Sequence, residues 1–317
     1  MIDLSSCLTE SAVQISEKTS CSRNSISSIS CNSPISVPSA QNTVTCLYRA
    51  ILSSTKEQIL ITVTWSKNST SSQGSLNITI GTHEDQSISF KLNTNSCRVL
   101  FRKLKGSKSL EFNASRVEVF WDFSSARYRS VAEPEPVDGY YIFITFDSEL
   151  GLFLGEHIYK ARELTFLQND EAAKFWLITR REHFSGNYSQ LHYQTKARFC
   201  ESGAAHDISI RRSGEMKNSV LSVCIDKKTV IRVKSLQWNF RGNETIFLDG
   251  LLVDLMWNVH DWLCNQDNSG HGVFMFRTRS RDINCSRLMW MEENKILLNK
   301  DHEEFSLIIF IAATCKN

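Results

Sequence analysis

Two adjacent histidine–aspartate pairs, His206-Asp207 and His260-Asp261, are the residues of this chain best suited to metal-dependent hydrolysis. Metal-dependent phosphohydrolases use such a pair on a helix, together with another histidine and another aspartate. Here the alternation over His206–Arg212 predicts a strand, in which neighbouring side chains point to opposite faces. The two side chains of that pair cannot therefore share one metal ion.

The histidines and cysteines near the C-terminal end also fail to match a metal site. His260, Cys264, His271 and Cys285 fit no standard zinc spacing, and the chain contains no CxxC pair. A nucleophile motif such as G-x-S-x-G is missing as well. We therefore predict no catalytic residue, no metal and no cofactor, and keep a hydrolase as the second alternative function.

Four successive charged residues, Arg180 to His183, lie on a predicted strand. Strand alternation places Arg181 and His183 on one face, and Arg180 and Glu182 on the other. An arginine beside a histidine suits an anionic group, so Arg181 and His183 are candidate ligand-binding residues. The alternative is a solvent-facing strand whose charges discourage edge pairing.

The stretch Trp238–Leu263 supplies the other candidate ligand-binding residues. Its alternation predicts three short strands, with tight turns at Gly242-Asn243 and Asp249-Gly250. The first turn predicts a polar network or a recognition surface, formed by Arg241, Asn243 and Glu244.

A run of basic residues is the candidate for binding an anionic surface. Phe101 and Leu104 lie among the charges, so phosphates of lipid or nucleic acid are candidate ligands. A solvated charged face is the alternative, because acidic residues are spread through the rest of the chain. The basic residues are Arg98, Arg102, Lys103, Lys105 and Lys108.

Strand patterns dominate from Asn42 onwards and predict an all-β, mainly antiparallel fold. We interpret the chain as two similar sandwich- or barrel-like units with one connecting helix, related by a tandem duplication. Chance similarity between two strand-rich segments is the alternative. The recurring positions are Val117, Val119 and Trp121, which match Val253, Leu255 and Trp257 without a gap.

The pattern divides the chain into four regions. A Ser-rich leader of low hydrophobicity, residues 1–40, is predicted to be largely disordered. The first β unit covers 41–155, and a helix with a hairpin strand covers 156–190. The hairpin is predicted to pair Phe175–Phe184 with Tyr188–Phe199 around the turn residues Ser185-Gly186-Asn187. The second β unit covers 191–317 and contains a polar insertion near 265–303.

Composition excludes several classes of protein. The net charge of +2 argues against a dedicated nucleic-acid binder, and no apolar run reaches the roughly 20 residues of a transmembrane helix. The N-terminal sequence has no secretory signal pattern. Ten cysteines without paired spacing then predict reduced thiols and an intracellular protein, cytoplasmic or nuclear and not secreted.

Eight motifs together resemble a plant family of uncharacterised proteins, domain of unknown function 868. The resemblance runs from about Cys7 to Ile311, with a departure at Leu154–His157. It implies a plant source and an intracellular β-rich protein, and it implies no activity. The motifs are LITVTWSK, KGSKSLEF, VFWDFSSARY, EPEPVDGYYIFI, LITRREHFSG, HDISI, QWNFRGNETIFLDG and VHDWL.

These observations favour a non-enzymatic binding or scaffolding module with protein partners, acting through loops and a groove between the units. The first alternative is an anionic-lipid or phospholigand binder that uses the basic run and the Arg181/His183 face. The hydrolase is the second alternative.

Overall fold

A computed structural model of the chain describes residues 42–67, 74–82, 87–94, 104–129, 133–156, 173–187, 192–200, 203–214, 218–264, 270–279 and 304–314. These residues belong to one compact unit. The predicted leader lies outside the described residues, as do most of the predicted helix between the units and most of the polar insertion.

Strands make up nearly all of the regular structure in the described ranges. The one helix there is α1 (His260–Cys264). The strands are β1 (Asn42–Ile51), β2 (Gln58–Lys67), β3 (Gly74–Gly81), β4 (Ser87–Asn93), β5 (Lys105–Phe112), β6 (Ser115–Asp122), β7 (Tyr141–Phe146), β8 (Glu149–Gly155), β9 (Lys174–Asn187), β10 (His192–Arg198), β11 (Ala205–Ser213), β12 (Val220–Ile225), β13 (Lys228–Val233), β14 (Arg241–Leu248), β15 (Leu251–Asn258), β16 (His271–Thr278) and β17 (Ser306–Thr314).

The strands form one large sheet and two small sheets. The large sheet has nine strands in the order β14-β15-β16-β17-β9-β1-β2-β3-β4, and the small sheets have the orders β5-β6-β7-β8 and β10-β11-β12-β13. Strand β9 runs parallel to β17, and every other neighbouring pair is antiparallel. The predicted all-β, mainly antiparallel fold is confirmed, with open sheets instead of a closed barrel in the described residues.

The first core lies between β1–β4 and the small sheet β5–β8. Buried residues alternate with partly exposed ones along β2, as a strand with one face on a core requires. Trp65 on β2 packs edge-on against Phe123 and Tyr140, at ring-centroid distances of 5.9 and 5.8 Å. Val119 and Ile142 of the opposite sheet are fully buried in the same cluster.

The second core lies between β10–β13 and the strands β14–β17. Its largest fully buried side chains include Phe199, Phe274 and Phe276, and Leu221 and Ile309 are fully buried beside them. Because β9 pairs with both β17 and β1, the same nine-stranded sheet contributes to both cores.

The hairpins β5–β6 and β14–β15 have the same register. Each closes with a two-residue turn in which both residues have positive φ, Asn113-Ala114 in the first and Asp249-Gly250 in the second. At the far end of each hairpin a glycine lies under a tryptophan ring, because any Cβ there would overlap the ring. The facing pairs are Gly106 with Trp121 and Gly242 with Trp257.

Two predictions about turns are wrong. Gly242-Asn243 is part of β14 and forms no turn; the chain instead turns just before it, at residues 235–238. The predicted hairpin of β9 with β10 also does not form, because β9 joins the large sheet and β10 joins a small one. At residue 242 packing outweighs the local turn signal, because glycine there leaves room for the Trp257 ring.

Candidate functional site

A largely buried arginine on β9, whose side chain is 18% exposed, lies where the two cores meet. Arg180 Nη2 donates to Glu135 Oε2 at 2.7 Å, and Arg180 Nε donates to Glu182 Oε1 at 2.5 Å. Two hydroxyl groups also donate to Glu182: Thr195 Oγ1 to Oε1 at 2.9 Å, and the Tyr193 hydroxyl to Oε2. The charges are therefore paired and hydrogen-bonded, as buried charges must be.

The same cluster holds a cysteine that is unsuited to nucleophilic chemistry. Arg180 Nη1 donates to Cys46 Sγ at 3.5 Å, but burial raises the pKa of the Cys46 thiol to about 12. Desolvation lowers the pKa of Arg180, and the charges of Glu135 and Glu182 outweigh that effect, so the pKa is raised. At neutral pH the thiol keeps its proton and the guanidinium its charge, which makes the cluster structural.

Glu135, which lies between two prolines, also belongs to this cluster. The flanking Pro134 and Pro136 are both buried, and they hold Glu135 against Arg180.

The candidates Arg181 and His183 lie on the outer face of the large sheet, and both are exposed. Glu182, between them, is buried on the opposite face, as strand alternation predicts. The His183 ring stacks on Phe310 with centroids 4.5 Å apart. Burial and the charge of Arg181 lower the pKa of His183, so its ring is neutral at physiological pH. An anionic ligand at this face stays a prediction.

A second histidine connects two hairpin turns. His206 Nδ1 lies 2.6 Å from Asp226 Oδ2, and His206 Nε2 lies 2.9 Å from Asp249 Oδ2. Asp226 is in the β12–β13 turn of a small sheet, whereas Asp249 is in the β14–β15 turn of the large sheet. Desolvation lowers the pKa of His206, but its hydrogen bonds to the two carboxylates outweigh this and raise it. The protonated ring can donate to both.

We expect the protein to lose stability as pH rises through the raised pKa of folded His206. The unfolded residue has a pKa of about 6.5, so the stabilisation is fully present below that value and is lost above the folded pKa. The measurement is the free energy of unfolding in urea from about pH 5.5 to 8.5. His206→Gln should flatten this pH dependence, and equal slopes for both proteins would contradict the assignment.

The two His–Asp pairs do not form one site. Asp207 makes an exposed ion pair with Lys196 at 3.3 Å, while His206 is buried on the other face. His260 lies just beyond the opposite end of β15 from Asp249, and an eight-residue strand spans about 26 Å. Among the described residues, no group of three or more His, Cys, Asp or Glu side chains is arranged to hold a metal ion.

The basic run is described only in part, since Arg98, Arg102 and Lys103 lie outside the described residues. Lys105 Nζ lies 3.7 Å from Asp122 Oδ2, and Lys108 Nζ lies 5.5 Å from the centroid of the Phe90 ring. Both lysines are on β5, the edge strand of its sheet, where charge discourages pairing with another chain. Binding of an anionic surface there stays a prediction.

The candidates Arg241, Asn243 and Glu244 lie on β14, which is the terminal strand of the large sheet. All three are exposed, and the outer side of β14 has no strand partner within the described ranges. The two-residue turn makes Leu248 and Leu251 a hydrogen-bonded pair. Alternate residues of β14 therefore direct N–H and C=O groups away from the sheet: Arg241, Asn243, Thr245 and Phe247.

An exposed apolar pair lies on this hairpin. Phe247 is 74% exposed, Leu252 is 46% exposed, and the two face each other across β14 and β15. At the equivalent positions of the β5–β6 hairpin, Glu111 faces Arg116. The hairpin itself accepts charged residues there, so folding does not require an exposed phenylalanine at residue 247.

Fold and site together define an all-β protein of layered antiparallel sheets with a structural charge cluster and, within the described ranges, an open sheet edge at β14. The chain belongs to a plant protein family of unknown function, DUF868, which matches residues 39–313. Comparison with curated proteins and with solved structures gives no match. In the described part of the chain no helix is long and apolar enough to cross a membrane.

Proposed function

We propose that the protein is a non-enzymatic binding module that accepts an extended segment of a protein partner along the open edge of β14. The observation that carries the proposal is the exposed Phe247–Leu252 pair beside outward-directed backbone groups of β14 with which no other described strand pairs. Strand addition uses this combination, with backbone hydrogen bonds for affinity and side-chain contacts for selectivity.

The form of β14 supports the proposal. Edge strands are usually protected by proline, bulges or charges along their length. Strand β14 has eight residues, contains no proline and pairs with β15 without a register shift. Its charges, Arg241 and Glu244, lie in the first half of the strand, and the half with Phe247 is uncharged. A partner strand thus meets little electrostatic or steric opposition there.

Selection of peptides from a random displayed library tests the proposal. We expect enriched peptides with alternating apolar residues, whose binding slows hydrogen exchange at the outward amides of β14. Those amides belong to Asn243, Thr245 and Phe247. The amides of Glu244 and Ile246 already face β15 and should change little. Protection confined to another surface would contradict the proposal.

The key variant copies the charged pair Glu111/Arg116 of the β5–β6 hairpin. Phe247→Glu with Leu252→Arg gives β14–β15 the charged pair that β5–β6 already carries, so the fold should be retained. We expect peptide binding to weaken about thirtyfold or more, the effect of losing an interface hot spot. Val137→Glu is the control, because Val137 is a 53% exposed apolar residue elsewhere. Equal binding by the key variant and the wild type would exclude this edge.

We also propose that the two halves arose by tandem duplication. Strand order supports this: β1–β4 and β10–β13 are both four-stranded meanders, and β5–β8 and β14–β17 are meanders that pack on them. The shared register of the two hairpins supports it further. On this view 41–155 and 191–317 are the duplicated units, and β9 is an addition between them.

An intracellular location, cytoplasmic or nuclear, is part of the proposal. It rests on the sequence and on the free thiols of Cys46 and Cys224 among the described residues. Anionic-lipid or phospholigand binding remains the first alternative function and hydrolysis the second. The strand-addition proposal is preferred because the exposed apolar pair has no role in either alternative.

A further inference from the structure

We infer that the segment which binds the β14 edge is β14 of a second copy of this chain. The inference rests on the proposed function, since it names the partner for the same edge. In the resulting dimer two β14 strands run antiparallel across a twofold axis, and the two large sheets become continuous. The twofold axis passes beside Thr245, which lies opposite Thr245 of the second copy.

The backbone of β14 suits this register. Thr245 directs its N–H and C=O outward, so the two copies of Thr245 form a hydrogen-bonded pair. On either side, Asn243 of each copy then lies opposite Phe247 of the other, again as a hydrogen-bonded pair. This arrangement forms about six backbone hydrogen bonds and uses the central outward-facing residues of the strand.

The charges also favour the Thr245 register. Arg241 of each copy comes to lie beside the β14–β15 turn of the other, near the carboxylate of Asp249, which also accepts hydrogen bonds from His206 and from the backbone N–H of Ala204. Opposite charges are thus near each other at both ends of the interface. Glu244 lies opposite Ile246 of the second copy, so no like charges face each other. An axis at Glu244 would instead place the two Glu244 carboxylates in direct opposition, which is destabilising.

The dimer contact also buries part of the exposed pair Phe247 and Leu252. Phe247 has Leu252 on one side within its own hairpin. The second copy supplies Asn243 on the open side, with Met256 behind it on β15. The row across the interface is then Leu252 and Phe247 of one copy, followed by Asn243 and Met256 of the other. The exposed face of Phe247 loses contact with water, which supplies a hydrophobic contribution to association.

Sedimentation of the full chain measures the dimer directly. We expect the wild type to show twice the 36.2 kDa chain mass at micromolar concentration. Phe247→Glu with Leu252→Arg should raise the dissociation constant about thirtyfold or more, while Val137→Glu should leave it unchanged. A wild type that stays at the mass of one chain over the whole concentration range would overturn the inference.

Cysteine crosslinking tests the register. In the Thr245 register the two Cα atoms of residue 245 lie about 5.5 Å apart, within the range a disulfide spans. Thr245→Cys should therefore form a covalent dimer under mild oxidation, above the background of the wild type. Asn243→Cys is the matched control, since the two copies of residue 243 lie about 14 Å apart. Crosslinking of the control in place of Thr245→Cys would overturn the register.

The two proposals fail in different ways. A monomeric chain that still binds selected peptides at the β14 amides would overturn the second-copy inference and support the strand-addition function. A dimer unaffected by Phe247→Glu with Leu252→Arg would overturn the inference as well. A chain with neither dimer nor peptide binding would overturn both.

Discussion

Replacement of Arg180 by methionine should lower the free energy of unfolding by about 3–5 kcal/mol, the usual result of breaking a buried ion pair. The change removes the cation that pairs with Glu182 and Glu135, whose side chains are only 5% and 25% exposed. Methionine fills much of the space but cannot donate to either carboxylate. The measurement is the urea unfolding transition followed by tryptophan fluorescence.

The adjacent residue provides a matched control. Arg181 is on the same strand but faces outward and is exposed, so Arg181→Met should cost less than about 1 kcal/mol. Glu182→Gln added to Arg180→Met should restore part of the lost stability, because the neutral amide removes the uncompensated charge. Similar losses for Arg180→Met and Arg181→Met would mean that the cluster contributes little to stability.

Replacement of Gly272 by alanine should destabilise the protein by about 1–3 kcal/mol through overpacking. A Cβ at residue 272 would lie 2.2 Å from a carbon of the Trp262 ring. The ring cannot easily move, because it is 3% exposed and its Nε1 donates to the carbonyl oxygen of Ile311 at 2.7 Å. Calorimetric unfolding of the purified variant measures the effect.

Gly106→Ala is the control for this prediction, because it should produce a smaller clash of the same kind. Gly106 also lies under a tryptophan, but its Cβ would be 2.9 Å from the Trp121 ring, and β5 is an edge strand. Gly106→Ala should therefore cost less than Gly272→Ala. The reverse order of the two melting temperatures would show that the tight approach to Trp262 does not determine the cost.

Most strands could be predicted from the sequence because each has one face on a core. Alternation along β2 is clear, and it also places Arg181 and Glu182 on opposite faces of β9. The sequence predicts the Asp249-Gly250 turn correctly, since few residue types readily adopt positive φ at two successive positions. The turn predicted at Gly242-Asn243 is wrong, because a glycine can serve either in a turn or where a side chain lies close to the backbone. Only the position of the Trp257 ring shows that Gly242 serves the second purpose.

The sites were harder to predict, because they depend on strands that are distant in sequence. Arg180 meets Glu135 only after β9 takes its place in the large sheet, and no local pattern specifies that place. Phe247 lies between Ile246 and Leu248 in a continuous apolar run, so alternation does not show which of the three side chains is exposed. The comparison of Phe247 and Leu252 with Glu111 and Arg116 was available in the sequence, and it is the signal that distinguishes the two hairpins.

Strand β9 has a consequence for how the protein assembles. Its two ladders pair Arg181 with Thr45 on one side and with Ile308 on the other, so each closes a loop of more than a hundred residues. Such non-local pairing is slow compared with the closing of a hairpin. The hairpins can therefore form early, while the strand that unites the sheet waits for both distant partners. Until then both of its edges are open, and this is the stage at which newly made chains are most prone to aggregate.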